Sequence, residues 1–256
     1  MRLYLKYIQR AMRTPQRTGK IGEAKIGLQL NLVSMFGKPG MTLQNIYVPT
    51  QNNHTSEIDL LFLTQKGLFV IESKYYSGYI FGDENQQQWT TSLYAGRSLD
   101  GRTQTQTHQF YNPIKQNQTH ISALTQYLGK EIRCFSVIVF SDRCELVHLS
   151  TSSPDVFVCQ QHSLHEIISH IWDTCPDILN EQQITSIYQM LQPLTQQDAA
   201  TRQQHVQNIK QTRQTTNICP LCGSPLVQRT ARNGPNAGSR FWGCSRFPSC
   251  RYTKSC

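Results

Sequence analysis

Two short stretches carry the side chains best suited to hydrolysis, Glu57-Ile58-Asp59 and Glu72-Ser73-Lys74. They flank two apolar runs, Ile58 to Leu63 and Leu68 to Ile71, separated by Thr64-Gln65-Lys66-Gly67, a sequence with turn chemistry. The pattern predicts a β-hairpin. If Gln65 and Lys66 form a two-residue turn, Thr64 pairs with Gly67, Asp59 lies opposite Glu72, Glu57 lies opposite Lys74, and the four share one face. A three-residue loop with a glycine bulge would offset that pairing by one. Carboxylates facing each other across a strand pair destabilise it by up to about 1 kcal/mol, and a hard divalent cation, Mg²⁺ or Mn²⁺, is the simplest reason to place them so. The plainer reading is that these are solvated charges at strand ends. A Mg²⁺ held by Asp59 and Glu72 would keep several waters, lower the pKa of one and neutralise charge developing on a scissile phosphate. Lys74, on the same face as Glu72, is placed to orient the attacking water and stabilise the transition state. These parts suit phosphodiester hydrolysis.

A second constellation does different chemistry. Cys219-x₂-Cys222 and Cys244-x₅-Cys250 offer four thiolates in two knuckles, within a segment too poor in apolar side chains to fold unaided. Structural zinc contributes roughly 10–16 kcal/mol of apparent binding energy, and four cysteines leave no open position for catalysis. Interleaved with them are Arg240, Arg246, Arg251 and Lys254 and the rings of Phe241, Trp242, Phe247 and Tyr252. Such a mixture tracks a phosphate backbone while rings stack on splayed bases, which favours single-stranded DNA. The alternative is that the rings pack around the zinc. Charge points the same way: from Lys210 to Cys256 there are eight Lys and Arg and no Asp or Glu. The preceding residues therefore hold 25 − 8 = 17 basic against 16 acidic groups, so the basicity is local. Cys134, Cys144, Cys159 and Cys175 read as buried small hydrophobes, and Cys256 as incidental. His162, His165 and His170 lack partners at ligand spacing and receive no chemistry.

The elements that must position these groups follow an α/β pattern. Ile26, Leu30 and Val33 recur at helical spacing, in a helix beginning near Gly22. Leu43 to Val48 reads as a strand and the hairpin follows. Neither hairpin run alternates cleanly, so both faces should be covered, as in a central sheet with helices packed on it. Tyr79 to Phe81 reads as a short strand, and the Gln-rich stretch from Asp83 to Gln109 as loop with a fragment of strand near Trp89. Asn112-Pro113 starts a helix, striped by Ile114, Ile121, Leu124 and Leu128 and closed by Gly129. Strands follow at Phe135 to Phe140, Glu145 to His148 and Val156 to Cys159, then helices at Leu164 to Trp172 and Glu181 to Leu191. No apolar run approaches the ~20 residues of a membrane span, and the basic opening segment lacks the apolar core of a signal peptide. The expected location is the cytoplasm, with reduced thiols.

From about Arg17 to Leu128 the sequence resembles the nuclease-related domain family, a branch of the restriction-endonuclease-like PD-(D/E)xK superfamily. The likeness is carried by Gly19-x-x-Gly22-Glu23, by Glu57-Ile58-Asp59-Leu60-Leu61 and by Gly67-Leu68-Phe69-Val70-Ile71-Glu72-Ser73-Lys74. Ser77-Gly78-Tyr79-Ile80-Phe81-Gly82, Trp89 and Asn112-Pro113-Ile114-x-Gln116 complete it. The resemblance implies an α-β-β-β-α-β core, Asp59 and Glu72 as metal ligands, Lys74 beside the water, Glu23 as a further acidic group and Gln116 at the site or on DNA. Glu23 has a plainer reading as a first-turn acid favouring the helix dipole, and Glu57 departs from the uncharged residue more usual before the Ile-Asp pair. The cysteine segment closely resembles the C-terminal zinc fingers of bacterial type IA topoisomerases, without a topoisomerase catalytic domain.

Together these readings divide the chain into a basic segment (1–16), a nuclease-related α/β domain (17–194), a polar linker (195–217) and a four-cysteine zinc ribbon (218–256). The fold class expected is a restriction-endonuclease-like mixed sheet flanked by helices, plus the ribbon. The expected function is metal-dependent DNA hydrolysis, in DNA processing or repair, with zinc structural and Mg²⁺ or Mn²⁺ catalytic. The rivals are a DNA-binding adaptor that no longer cuts, and a ribbon that binds protein.

Overall fold

The computed structural model describes residues 15–50, 55–97, 103–195, 226–231, 238–245, 247–248 and 251–255. Its centre is the hairpin of β2 (Thr55–Thr64) and β3 (Gly67–Lys74). Leu60 to Leu63 and Leu68 to Ile71 are fully buried, as unbroken apolar runs demand of strands covered on both faces. The turn is the two-residue one: Thr64 pairs with Gly67, and the Thr64 hydroxyl donates to the Gly67 carbonyl while accepting from the Lys66 amide. Gly67 has φ 132°, and a side chain there would stand 2.5 Å from the Arg133 carbonyl oxygen, so glycine is required.

The main sheet has the order β1-β2-β3-β7-β9, with β1 (Gly40–Pro49), β7 (Cys134–Phe140) and β9 (Val156–Gln160) added to the hairpin. The strands β1, β2 and β3 pair antiparallel, whereas β3, β7 and β9 run parallel. One face is covered by α1 (Pro15–Met35) and α3 (Leu164–Thr174), through Ile26, Leu30, Leu164 and Ile168. The other is covered by α2 (Pro113–Leu128) and α4 (Glu181–Leu191), through Leu124, Leu128, Ile187 and Leu191. The architecture is α/β, a mixed sheet flanked by helices.

The helix α1 begins at Pro15, not near Gly22. Gly22 is a helix-interior residue whose added Cβ would meet the Tyr75 ring at 3.3 Å and the Ser73 hydroxyl at 3.5 Å, so its glycine serves close approach rather than initiation. At α2 the Asn112 side chain accepts from the Ile114 amide, Pro113 occupies the first turn and Gly129 closes the helix at φ 63°.

The polar stretch expected to be loop is instead folded. A second sheet, β6-β5-β4-β8, comprises β4 (Gly78–Asp83), β5 (Gln88–Arg97), β6 (Thr103–Tyr111) and β8 (Cys144–Ser150). Its inward anchors on β4, β5 and β6 are few, Ile80, Trp89 and Phe110 packed on Phe140 with Trp89 stacked on it at 6.1 Å, and β8 adds Cys144, Leu146 and Leu149. The other strand positions are mostly Thr, Ser and Gln, so apolar alternation is too sparse to read. Among the described residues no helix is long and apolar enough to cross a membrane.

Candidate metal-dependent nuclease site and zinc ribbon

The site forms where the hairpin comes apart. Pairing of β2 with β3 runs from Thr64–Gly67 to Leu60–Ile71 and stops there. On the other side of β2, Gln44 pairs with Leu60 and Ile46 with Ile58, and the Asn45 between them has φ 53°. Ile58 packs with Leu61 and Leu63, whereas Leu60 and Phe62 pack in the opposite cluster, so β2 rolls over at Asp59. Asp59 therefore does not continue the ladder opposite Glu72. Its Oδ2 accepts the Ser73 amide at 2.8 Å, a side chain standing in for a strand carbonyl. Glu57, expected opposite Lys74, lies across from Tyr47 of β1 and accepts its hydroxyl at 2.7 Å.

Glu72 is 3% exposed and is held on one oxygen from two sides. Its Oε1 accepts Lys74 Nζ at 2.6 Å and Gln116 Nε2 at 2.8 Å, and Lys74 Nζ also donates to Gln116 Oε1 at 3.0 Å. The three side chains close a triangle between β3 and α2. Glu72 Oε2 lies 3.4 Å from His120 Nε2 and makes no hydrogen bond. His120 is fixed in turn by the Ser56 hydroxyl, 2.6 Å from its Nδ1. Sequence reading passes over His120, although its position one turn beyond Gln116 on the same helix face is a usable signal.

Electrostatics divides the carboxylates. Burial pushes the Asp59 carboxyl well above the usual range, with the Glu72 charge adding to it and the Ser73 amide and Lys74 only partly opposing. Burial also works against ionisation of Glu72, but the His120 contact and Lys74 outweigh it and its carboxyl is held low. The Lys74 ammonium is held above its ordinary pKa despite burial, by Glu72 first and then Asp59. Glu23 reaches the same field from α1: burial, then the Glu57 charge, raises its carboxyl, Lys20 lowers it, and Glu72 raises it further. Because α1 starts at Pro15, Glu23 lies beyond the first turn and the helix-dipole account of it fails.

At Asp59 and Glu23 burial and neighbouring negative charge thus outweigh the pull of Lys74 and Lys20, and Glu72 keeps one buried oxygen without a hydrogen bond. Among the described residues no group of three or more His, Cys, Asp or Glu side chains converges to hold a metal ion. Mg²⁺ needs only one or two carboxylates, completing its shell with water and phosphate oxygens, so Asp59 and Glu72 fit such an ion.

The ribbon's described part is a three-stranded antiparallel sheet of β10 (Leu226–Thr230), β11 (Arg240–Cys244) and β12 (Thr253–Ser255). Cys244 is buried with Leu226, and Trp242 and Tyr252 pack against them, so these two rings serve the small core. Phe247 is 58% exposed, with the Arg229 guanidinium 5.7 Å from its ring centroid. Arg240, Arg251 and Lys254 are exposed and Phe241 is half-buried. Cys219, Cys222, Cys250 and Arg246 lie outside the described residues. Of the isolated cysteines, burial pushes the thiols of Cys134 and Cys144 up to about 11 and that of Cys159 up to about 12, in keeping with inert core residues.

Two parts of the chain are similar to known families. Residues 18–141 match the family model described as nuclease-related domain, and residues 216–256 match that of the topoisomerase DNA binding C4 zinc finger. An uncharacterized protein of Bacillus anthracis is 27% identical over 192 residues, covering 75% of this chain and 84% of the relative. No solved structure matches. The chain thus carries a region similar to the nuclease-related domain, followed by one similar to the topoisomerase DNA binding C4 zinc finger.

Proposed function

We propose that the protein is a metal-dependent nuclease that hydrolyses DNA phosphodiester bonds, with its zinc ribbon holding the DNA and single strands preferred. The observation that carries this reading is the grip of Lys74, Gln116 and His120 on Glu72 beside Asp59, a half-buried carboxylate at which burial and negative charge outweigh the pull of Lys74. Asp59 and Glu72 would hold Mg²⁺ or Mn²⁺, which supplies Lewis-acid charge neutralisation of the scissile phosphate. Lys74 keeps an ammonium at the mouth of this pair, aimed at charge developing on phosphate and able to orient a water. Gln116 fixes both Lys74 and Glu72, so neither needs to reorganise during the reaction. Glu23 brings further negative charge from α1 to the cation position. In the ribbon, Cys219, Cys222, Cys244 and Cys250 would bind structural zinc. Arg240, Phe241, Trp242, Arg246, Phe247, Arg251, Tyr252 and Lys254 would form its DNA surface, with Trp242 and Tyr252 contributing chiefly from within.

One observation favours a second reading, a DNA-binding adaptor that does not cut: Lys74 pairs with Glu72 at 2.6 Å, so this carboxylate already has a cation partner within the chain. Incubating the protein with labelled single- and double-stranded DNA and Mg²⁺ or Mn²⁺ separates the two. The nuclease reading expects Asp59→Ala and Lys74→Ala to lower cleavage by about 10²-fold or more while DNA binding persists. Equal cleavage by the variants marks a contaminant, and no metal-dependent cleavage of any substrate selects the adaptor.

A further inference from the structure

The second sheet has an outer face that the core does not use. Its inner face is closed by Ile80, Trp89 and Phe110. Pleating sends the alternate residues outward, and four of them are large rings: Tyr79 and Phe81 on β4, Tyr94 on β5 and Tyr111 on β6, exposed by 48, 36, 65 and 50%. Single exposed rings need no explanation, but four on one face of one sheet do. The pairing sets Ser92 beside Tyr79, Thr90 beside Phe81 and Thr105 beside Tyr94, while β8 sets Glu145 and Val147 on the other side of Tyr79 and Phe81, so Glu145 is the one charge paired directly beside these three rings. Successive outward residues on a strand stand about 7 Å apart, room for each ring to take its own planar partner.

The position of this face narrows what it takes. Its first strand, β4, follows β3 after Tyr75, Tyr76 and Ser77, so the rings lie a few residues from Lys74. At that junction the Arg143 carbonyl accepts the Gly78 amide and the Arg143 guanidinium, in an exposed residue, sits 5.7 Å from the Tyr75 ring. A cation at the entry and rings beyond it match a chain of phosphates carrying unstacked bases. The families matched by both parts of the chain are nuclease-related and DNA-binding.

We propose that the outer face of the second sheet is a base-stacking platform for single-stranded nucleic acid, with Tyr79, Phe81 and Tyr94 taking bases and Arg143 a phosphate. Base–aromatic stacking tolerates any sequence, because every base has a π-face. The proposal rests on the nuclease reading only for where the strand leads, toward Asp59 and Glu72. Its test uses the full chain and a single-stranded thymidine oligomer bearing 5-iodouracil. Ultraviolet cross-links should map to peptides carrying Tyr79 or Tyr94. Tyr79→Ala and Tyr94→Ala should each raise Kd for the oligomer about fivefold or more, with Tyr94→Phe close to wild type and affinity for an abasic oligomer of equal length unchanged. Unaltered Kd in both alanine variants, or cross-links confined to residues 218–256, would overturn it. Assaying the same proteins for cleavage keeps the two ideas apart. Asp59-dependent cleavage with unaltered Kd sinks the platform alone, and weakened Kd without cleavage by any protein leaves the platform standing and sinks the nuclease.

Discussion

Asp59, half-buried, and Glu72, buried, stand at one splayed end of a hairpin, yet their protons are held in opposite senses. Glu72 is partnered by Lys74 and His120, whereas at Asp59 the Ser73 amide and the more distant pull of Lys74 are outweighed by burial and neighbouring negative charge. The difference has a stability consequence of definite sign. Unfolded, Asp59 ionises near 3.8, the ordinary value for an aspartate; folded, it ionises at higher pH. Between those two values the unfolded chain binds fewer protons, so stability falls as pH rises through the window. Asp59→Asn keeps an oxygen for the Ser73 amide and removes the charge. In metal-free protein the variant should melt on the order of 2–4 °C higher than wild type near neutral pH. That gap should narrow as pH falls toward 4, and melting curves in chelator at several pH values measure it. A gap independent of pH would show that charge burial is not its cause.

At the scale of elements, α1 lies close enough for the Glu23 charge to act on Asp59 and Glu72. Gly22 permits this, since even a methyl group there would press on the Tyr75 ring and Ser73. Gly22→Val should cost about 1–3 kcal/mol by overpacking and should weaken Mn²⁺ binding as Glu23 is displaced. Denaturant unfolding and Mn²⁺ titration read the two effects, and a variant that loses stability but binds Mn²⁺ normally would remove Glu23 from the site. The hairpin and its turn were legible in the sequence because Thr64-Gln65-Lys66-Gly67 is a local signal and the flanking runs are apolar throughout. The roll of β2 at Asp59 was not, because it coincides with a left-handed Asn45 on a different strand. His120 lies off the apolar stripe that marks its helix, and its role is visible only once Ser56 and Glu72 are brought beside it. The strands β5 and β6 were not legible because their apolar signal is confined to Trp89 and Phe110 on one face.

For the whole molecule, nearly all the excess positive charge follows the α/β domain, 8 of the net 9 charges lying between Lys210 and Cys256. Binding through phosphate contacts should therefore reside largely in the ribbon and fall steeply as salt rises. Cys222→Ser should release zinc, weaken DNA binding and flatten that salt dependence, measured by metal analysis and by titrations at several salt concentrations. Unchanged zinc content would sink the metal assignment, and DNA affinity insensitive to salt would favour a protein partner for the ribbon. Both outcomes leave the hairpin untouched. There the Ser73 amide already takes one oxygen of Asp59, the carboxylate proposed to hold the cation. A lineage released from cutting DNA would gain stability by drifting to asparagine at this position, with the backbone contact intact. The aspartate that stands there is the form that selection for folding alone would discard.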